Sequence, residues 1–276
     1  MPELPEVETV VRGLRPHLEG RRFARVIQRR ADIRTPIPEG FVQRVTGARV
    51  VSVARRAKWI VVALDRGAVL LVHLGMSGRL VLVKDGKPAA GPHDHVEFVM
   101  DDGAQVRFTD PRRFGVVDLV EDADLAGDRR FSELGPEPLD DAFDAAALEK
   151  ALAGSKAPLK AALLDQRNVA GLGNIYVCEA LNRCGLSPRR RAGTVRAQKA
   201  AALLKAVKET LGDAIRAGGS SARDYVQASG ELGWFQHSWR VYDRAGEPCR
   251  TKGCTGTVRR IVQSGRSTFY CPRCQR

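Results

Sequence analysis

Residues suited to chemistry are concentrated at the two ends of the sequence. The chain begins MPELPEVETV, in which prolines at positions 2 and 5 alternate with carboxylates. It ends with CRTKGC, a stretch of sixteen residues and CPRC, a separation that suits four thiolate ligands on a β-hairpin. Four thiolates leave no open position on the ion, so the tail predicts one structural Zn²⁺, although four free thiols on a basic tail are the alternative. The predicted ligands are Cys249, Cys254, Cys271 and Cys274.

The segment between the cysteine pairs, VRRIVQSGRSTFY, is predicted to be the hairpin. Its SG or SGR would form the turn and present Arg266 at the tip. An arginine on a rigid hairpin suits contact with a DNA phosphate. An arginine that is merely solvated is the alternative.

A glycine-rich motif, NVAGLGNIY, precedes a helix predicted to begin at Asn174. Backbone N–H groups at such a start can hold a phosphate, whereas close helix packing would require the same glycines. The preceding SKAPLK contributes Lys156 and Lys160, which favour an anionic ligand.

Two further motifs, HLGMSG and TDPRRFG, lie where predicted strands end. They supply a thioether at Met76, a cation at Arg112 and an aromatic ring at Phe114. Such a set could fill the gap that an extruded base leaves in a DNA stack. Ordinary core packing of the methionine and the phenylalanine, beside a surface arginine, is the alternative.

The composition favours a polyanionic partner. Lys+Arg number 45 against 32 Asp+Glu, giving a net charge of +13 and a pI near 9.9. Nucleic acid or an acidic membrane surface would suit this charge, and solubility alone is the alternative. The N-terminus lacks the order of a signal peptide and no apolar run approaches the roughly 18 residues of a membrane span, so we expect a cytoplasmic, nucleoid-associated protein.

The hydrophobic pattern predicts the elements that must position these motifs. At 276 residues the chain is long enough for two domains. Apolar spacing from Val7 to Leu18 predicts a helix, and seven apolar runs from position 23 to about 120, separated by turns such as DRG, KDG and DDG, predict an antiparallel β-sandwich or barrel. The runs are RVIQ, ARVVSVA, KWIVVAL, AVLLVHL, RLVLV, VEFVM and VRFTD.

The second half is predicted to be a helical domain followed by the small hairpin. The helices are expected over 145–153, 159–164, 174–184 and 195–217. In the last of them the apolar spacing predicts a buried stripe. Its members are Leu203, Leu204, Val207, Leu211 and Ile215.

Taken together, PELPEVET, RRAKW, HLGMSG, TDPRRFG, GLGNIY and the terminal cysteines resemble the bacterial formamidopyrimidine-DNA glycosylase family, over the whole chain and in the expected order. PELPE is unlike the PEGPE-type opening of the related endonuclease VIII. The resemblance implies an α+β multidomain fold. It comprises an N-terminal helix and β-sandwich over 1–120, a linker over 121–140, a helix-two-turn-helix domain with a lesion-recognition loop over 141–240, and a zinc-ribbon β-hairpin over 241–276.

The resemblance assigns catalytic roles. Removal of Met1 would free Pro2 as an amine nucleophile, and a free α-amino group titrates at roughly 7.7–8.0. Glu3 would protonate the sugar ring oxygen, and Glu6 would orient this end and nearby water. Two cations would serve the eliminations, Lys58 the β-elimination and Arg266 the δ-elimination.

The resemblance also implies DNA contacts. His73 and Asn174 would hold phosphates beside the lesion, while His93 and Arg112 contact DNA and the set of Met76, Arg112 and Phe114 fills the gap. The loop 218–235 would recognise the damaged base, chiefly through Ser220 to Tyr225. Ser155 stands where relatives are expected to have a basic DNA contact, and the first cysteine pair has four intervening residues rather than two.

The implied function is base-excision repair by a monomer that removes 8-oxoguanine and formamidopyrimidines from double-stranded DNA and cuts the strand at the abasic site, with no membrane partner. An endonuclease VIII-like enzyme acting on oxidised pyrimidines is one alternative. A zinc-ribbon protein that binds distorted duplex without chemistry is another. Pro2, Glu3 and Lys58 argue against the second.

Overall fold

The structure, a computed structural model, describes residues 1–83, 89–222 and 224–276. Its backbone divides into two units, the first containing Met1–Ser132 and Ala217–Trp234, the second Glu133–Arg216 and Phe235–Arg276. The first unit is therefore discontinuous in sequence. The predicted KDG turn at 84–86, and Arg223 within the expected recognition segment, lie outside the described residues.

Helix α1, Leu4–Leu18, opens the first unit. Pro5 lies in its first turn, where a missing N–H costs no intrahelical bond. Glu3 and Glu6 form a capping box that fixes the start of the helix. The predicted apolar stripe is confirmed, since its members are all buried: Val7, Val10, Val11, Leu14 and Leu18.

Two antiparallel sheets form the β-sandwich, with strand orders β1-β6-β7-β5 and β2-β3-β4-β8 among the described residues. Side chains from both sheets and from α1 share one hydrophobic cluster. Each predicted run overlaps one of the first seven strands, and β8 follows TDPRRFG. The strands are β1 Phe23–Gln28, β2 Val50–Arg56, β3 Trp59–Leu64, β4 Ala68–His73, β5 Arg79–Val83, β6 Asp94–Met100, β7 Gln105–Thr109 and β8 Val116–Glu121.

Shorter segments complete the first unit: helix α2 Phe41–Val45, a 3₁₀ turn Asp122–Gly127 and helix α3 Arg129–Ser132. The distant segment Ala217–Trp234 packs here as well. Leu82 N–H donates to the Ala228 carbonyl at 2.8 Å, and Tyr225 and Ala228 belong to the hydrophobic cluster. The loop is thus part of the core of this unit.

The second unit contains four α-helices, two 3₁₀ turns (Ala192–Thr194 and Phe235–Ser238) and a hairpin in its described residues. In the last helix, Ala197–Arg216, the predicted stripe is buried as far as Leu211, whereas Ile215 near the helix end is half-buried. The helices are α4 Ala145–Leu152, α5 Leu159–Leu164, α6 Asn174–Arg183 and α7 Ala197–Arg216.

The hairpin consists of β9 Arg259–Gln263 and β10 Arg266–Tyr270, with Gln263 paired to Arg266. Its two-residue turn is Ser264–Gly265, at φ 49° and 71°. Positive φ at both positions matches the twist of paired strands and favours glycine at the second. The predicted SG turn is confirmed.

A search of the described residues found no helix with both the length and the apolar character that crossing a membrane requires.

Candidate active site

The N-terminal motif places two buried carboxylates beside Pro2. Pro2 is buried, and Glu3 and Glu6 are 3% and 2% exposed. Glu3 N–H donates to Glu6 Oε2 at 2.8 Å. This bond and the proline at position 5 restrict the backbone from Glu3 to Glu6, at the start of α1.

Glu6 also binds the segment that joins the first unit from far along the chain. Its Oε1 accepts a hydrogen bond from Ser220 N–H at 2.7 Å. The Tyr225 hydroxyl shares its one proton between the Glu6 carbonyl at 3.3 Å and the Gly218 carbonyl at 3.1 Å. Burial first, and the Glu6 carboxylate second, raise the pKa of Tyr225 well above its usual range, so the hydroxyl keeps its proton.

Gly219 explains how closely this loop approaches the helix start. It has φ +83°, and a Cβ there would lie 3.0 Å from Glu6 Oε1 and 3.0 Å from the Tyr225 ring. A side chain would therefore have to displace the hydrogen-bonded carboxylate. The loop is glycine-rich here because it contacts the N-terminal site.

Lys58 lies in the two-residue turn between β2 and β3, where Arg56 pairs with Trp59. Its neighbour Ala57 has φ 52°, a conformation that is uncommon outside glycine. Lys58 is 9% exposed. The turn thus holds a buried lysine whose charge acts on His73 at the end of β4.

His73 ends β4 and is paired across the sheet with Trp59, with ring centroids 4.9 Å apart. Burial, with smaller contributions from the charges of Lys58 and Arg34, lowers the pKa of His73 from 6.5 to about 4. Its Nδ1 accepts from Gly75 N–H at 3.0 Å. The neutral ring therefore carries its proton on Nε2 and presents it as a hydrogen-bond donor.

A cavity of about 580 Å³ opens beside His73. Arg112 lies over the ring of Phe114, 4.9 Å from its centroid, and Phe114 is 43% exposed. Predicted gap-filling residues therefore line the same cavity as the first residue of the chain. The lining comprises Met1, Asp32, Ile33, Arg34, His73, Gly75, Met76, Arg112, Arg113 and Phe114.

Asp110 was not predicted from the sequence. It joins the loops formed by the HLGMSG and TDPRRFG motifs. This fully buried carboxylate accepts from the Ser77 hydroxyl at 2.6 Å and from Gly115 N–H at 2.7 Å. Ser77 in turn accepts from Arg112 N–H at 3.2 Å. An acid next to proline at the end of a strand, in TDPRRFG, was the available signal.

His93, in the first unit, is exposed. Its backbone carbonyl accepts a hydrogen bond from Asp110 N–H at 2.9 Å. Its side chain stands outside the cavity lining.

In the second unit, Asn174 begins α6, and its Nδ2 donates to the Ser267 carbonyl at 2.9 Å. Arg266, the preceding residue, is exposed at the start of β10. The structure thus brings Asn174 and the backbone beside Arg266 together.

The lysine-containing segment divides into an exposed and a buried part. Lys156 is exposed, and Ser155 is half-buried with its hydroxyl accepting from Ala157 N–H at 3.3 Å. Lys160 is 0% exposed and donates to the hairpin instead. The expectation that Lys160 contacts DNA directly does not hold, because its ammonium is enclosed by protein.

The four tail cysteines fit one zinc ion. Their sulfur atoms lie within 4.8 Å of one another, with Cys249–Cys274 and Cys254–Cys271 both at 3.7 Å. A tetrahedron with Zn–S bonds of about 2.3 Å has edges of about 3.8 Å. Gly256 leaves room for this cluster, since a Cβ there would be 2.6 Å from the Cys271 sulfur. The longer spacer of the first pair is therefore compatible with the site.

Comparison with known proteins covers the whole chain. Three family models match: the formamidopyrimidine-DNA glycosylase N-terminal domain over 1–117, the formamidopyrimidine-DNA glycosylase H2TH domain over 134–226 and the zinc finger found in FPG and IleRS over 246–276. A formamidopyrimidine-DNA glycosylase of Acidiphilium cryptum is 59% identical over 280 residues, covering 100% of both chains.

Two solved structures are similar along their full length. The MutM (Fpg) protein of Thermus thermophilus is 40% identical, with a TM-score of 0.87 over 99% of this chain and 98% of that one. Lactococcus lactis Fpg, solved with DNA containing an abasic site, is 31% identical, with a TM-score of 0.89 over 100% of both chains.

Proposed function

The chain belongs to the bacterial formamidopyrimidine-DNA glycosylase family and is a base-excision repair enzyme that removes oxidised purines from DNA, and we propose that it does so through an amine freed at Pro2. One observation supports this assignment most directly. Met1 lines the same cavity as His73, Met76, Arg112 and Phe114. Removal of Met1 would leave the Pro2 nitrogen at the wall of that cavity.

The first chemical step is displacement of the damaged base. The neutral Pro2 nitrogen attacks C1′ of the deoxyribose, and the bond from C1′ to the base breaks. The nitrogen loses its own proton, which balances the proton that the departing base takes up. Glu3 gives its proton to O4′ as the C1′–O4′ bond opens, which leaves an iminium. Glu6, bonded to Glu3 N–H at 2.8 Å, orients this end of the chain and nearby water.

Strand cleavage follows from the iminium. Loss of the C2′ proton expels the 3′ phosphate in the β-elimination, and loss of the C4′ proton then expels the 5′ phosphate in the δ-elimination. We assign Lys58 to the first departure and Arg266 to the second, because a cation stabilises the charge that develops on the leaving phosphate. His73, through Nε2–H, and Asn174 are assigned to phosphates beside the lesion.

Extrusion of the base leaves a gap in the duplex, and we assign Met76, Arg112 and Phe114 to fill it. Asp110 supports this assignment, since it fixes Gly115 and Ser77, which flank or contact these residues. A guanidinium over an aromatic ring presents planar surfaces that suit the place of a stacked base.

The loop at Ser220–Tyr225 is assigned to recognition of the damaged base. Its Ser220 N–H donates to the carboxylate of Glu6. This bond positions the loop and the N-terminal residues together. The exposed side chains of His93 and Lys156, together with Ser155, are assigned to the DNA backbone.

The remaining features fit the same enzyme. We propose the domain limits 1–120, 121–140, 141–240 and 241–276 along the sequence, with the segment 217–234 packing into the first unit. The proposed location is the cytoplasm, at the nucleoid, where the DNA substrate lies. One structural Zn²⁺, held by Cys249, Cys254, Cys271 and Cys274, stabilises the fold of the ribbon when bound. It supplies no reacting group, because all four positions are thiolates.

Borohydride trapping tests the proposal. The processed chain is incubated with a duplex holding one 8-oxoguanine and, separately, with one holding a preformed abasic site. A covalent adduct is expected on both. A form that retains Met1 is expected to give none, because its Pro2 nitrogen is an amide.

Glu3→Gln is the matched control, because it keeps the amine and removes the acid. It is expected to lower adduct formation on 8-oxoguanine by about a hundredfold or more and to lose less on the abasic site, where no base must leave. An equal adduct from the Met1-retaining form would overturn the assignment of Pro2. Tight duplex binding without any adduct would favour a binding protein.

A further inference from the structure

A lysine is completely enclosed in the second unit, beside the hairpin that carries Arg266. Lys160, in the first turn of α5, is 0% exposed. Its Nζ donates to the Ser267 carbonyl at 2.9 Å and to Thr268 Oγ1 at 2.7 Å. Thr268 is itself 0% exposed. The ammonium is therefore bonded to two consecutive residues of β10.

Burying this charge is unfavourable for stability. A lysine is almost never fully buried without partners, since its ammonium loses its hydration. Its position at the start of α5 adds a small further cost, because a helix N-terminus favours negative charge. A methionine would fill similar space without these costs, so the charge serves a purpose other than filling the core.

The same carbonyl receives a second donor. Asn174 Nδ2, at the start of α6, donates to Ser267 O at 2.9 Å. Two helices of the second unit are thus joined to β10 at one backbone atom. Ser267 directly follows Arg266, which itself follows the two-residue turn Ser264–Gly265. The position of the Ser267 carbonyl therefore determines closely where the Arg266 backbone lies.

We propose that Lys160 is a positioning residue for the δ-elimination: its buried ammonium fixes the hairpin so that Arg266 reaches the departing 5′ phosphate. This inference rests on the role assigned to Arg266 under the proposed function. Lys160 acts through the hairpin backbone and does not touch the DNA. Its loss should therefore impair the second elimination more than the first.

The product distribution on abasic-site duplex tests this. Lys160→Met removes the charge and retains the side-chain volume. Denaturing gels separate the β-product from the δ-product, and their ratio is expected to shift towards the β-product by about tenfold, as misplacement of a reacting group on the order of 1 Å costs up to about a hundredfold. Borohydride trapping, which reports on the earlier step, is expected to stay within about twofold of the wild type.

Lys205→Met is the matched control, since it removes the same charge from a side chain that is 78% exposed on α7. It is expected to leave the product ratio unchanged. Zinc content and thermal melting are measured for every variant, so that loss of the hairpin fold is distinguished from its misplacement.

Thr268 supplies a second pair of variants on the acceptor side. Thr268→Val replaces the hydroxyl with a methyl group of similar size and should shift the ratio in the same direction. Thr268→Ser keeps the hydroxyl and should retain the wild-type ratio. If Lys160→Met loses its zinc, this pair decides the matter. A wild-type ratio in Thr268→Val, or in a zinc-loaded Lys160→Met, would overturn the inference.

Arg266→Ala distinguishes a failure of the role proposed for Lys160 from a failure of the role proposed for Arg266. If that variant keeps the wild-type product ratio, the role assigned to Arg266 fails and the positioning role of Lys160 fails with it. If Arg266→Ala loses the δ-product while Lys160→Met does not, only the role of Lys160 fails.

Discussion

Replacing His73 with glutamine tests whether its imidazole is held neutral. Burial and nearby positive charge lower its pKa to about 4, against 6.5 in the unfolded chain. Between these values the unfolded chain binds more protons than the folded protein, so stability is full above pH 6.5 and is lost as the pH falls through this window. From pH 7 to pH 5 the imidazole alone should cost about 2 kcal/mol of the free energy of unfolding.

Glutamine is the informative substitution, since it can accept from Gly75 N–H and can still donate, yet does not titrate. Urea unfolding of both proteins at pH 7 and pH 5 should show the wild type losing about 2 kcal/mol more than His73→Gln. All other titrating groups cancel in this comparison. NMR titration of the imidazole gives the pKa directly. Equal losses in the two proteins, or titration of His73 near 6.5, would refute the reasoning.

Three other substitutions probe separate contacts. Asp110→Asn leaves Ser77 or Gly115 poorly paired and should lower the free energy of unfolding by about 2 kcal/mol, measured by urea titration. Tyr225→Phe removes the hydroxyl bonded to the Glu6 carbonyl, and we expect kcat/KM on 8-oxoguanine duplex to fall about fivefold, equivalent to ~1 kcal/mol. Cys254→Ser should abolish stoichiometric zinc and weaken duplex binding by at least about tenfold, measured by metal analysis and fluorescence anisotropy.

Each of these has a result that contradicts it. A change below about 0.5 kcal/mol in Asp110→Asn would show that the carboxylate is not what joins the two loops. Wild-type kinetics in Tyr225→Phe would mean that its hydroxyl does not restrain the loop. For Cys254→Ser, full zinc content would require a ligand other than the four thiolates, and Cys184→Ser, which alters a half-buried thiol outside the cluster, is the matched control.

The features predicted well from the sequence depend on residues close together in the chain. The stripe of α1 follows from helical spacing, and the Ser264–Gly265 turn follows from the backbone conformation that two-residue hairpins require. Paired cysteines predicted the metal cluster because each pair lies within one local loop. Strand β8 lacked such a signal, since VVDLVE contains two acidic residues and follows directly on a turn motif.

The features that were missed depend on contacts between distant segments. In the sequence, Lys160 resembles an ordinary surface lysine. Its burial depends on acceptors from a strand more than a hundred residues later. Asp110 is one acidic residue among many until Ser77 and Gly115 lie beside it. Spacing alone cannot show which distant backbone atoms will meet a given side chain.

The discontinuity of the first unit has a consequence for its folding during synthesis. Residues 1–132 leave the ribosome long before Ala217–Trp234, yet Tyr225 and Ala228 belong to their hydrophobic cluster. The nascent sandwich therefore cannot complete its hydrophobic core until the intervening helices have been made, and this part of the core stays uncovered until then. Glu6 gains its bond to Ser220 only then, so the start of α1 acquires this contact after the intervening helices have been made.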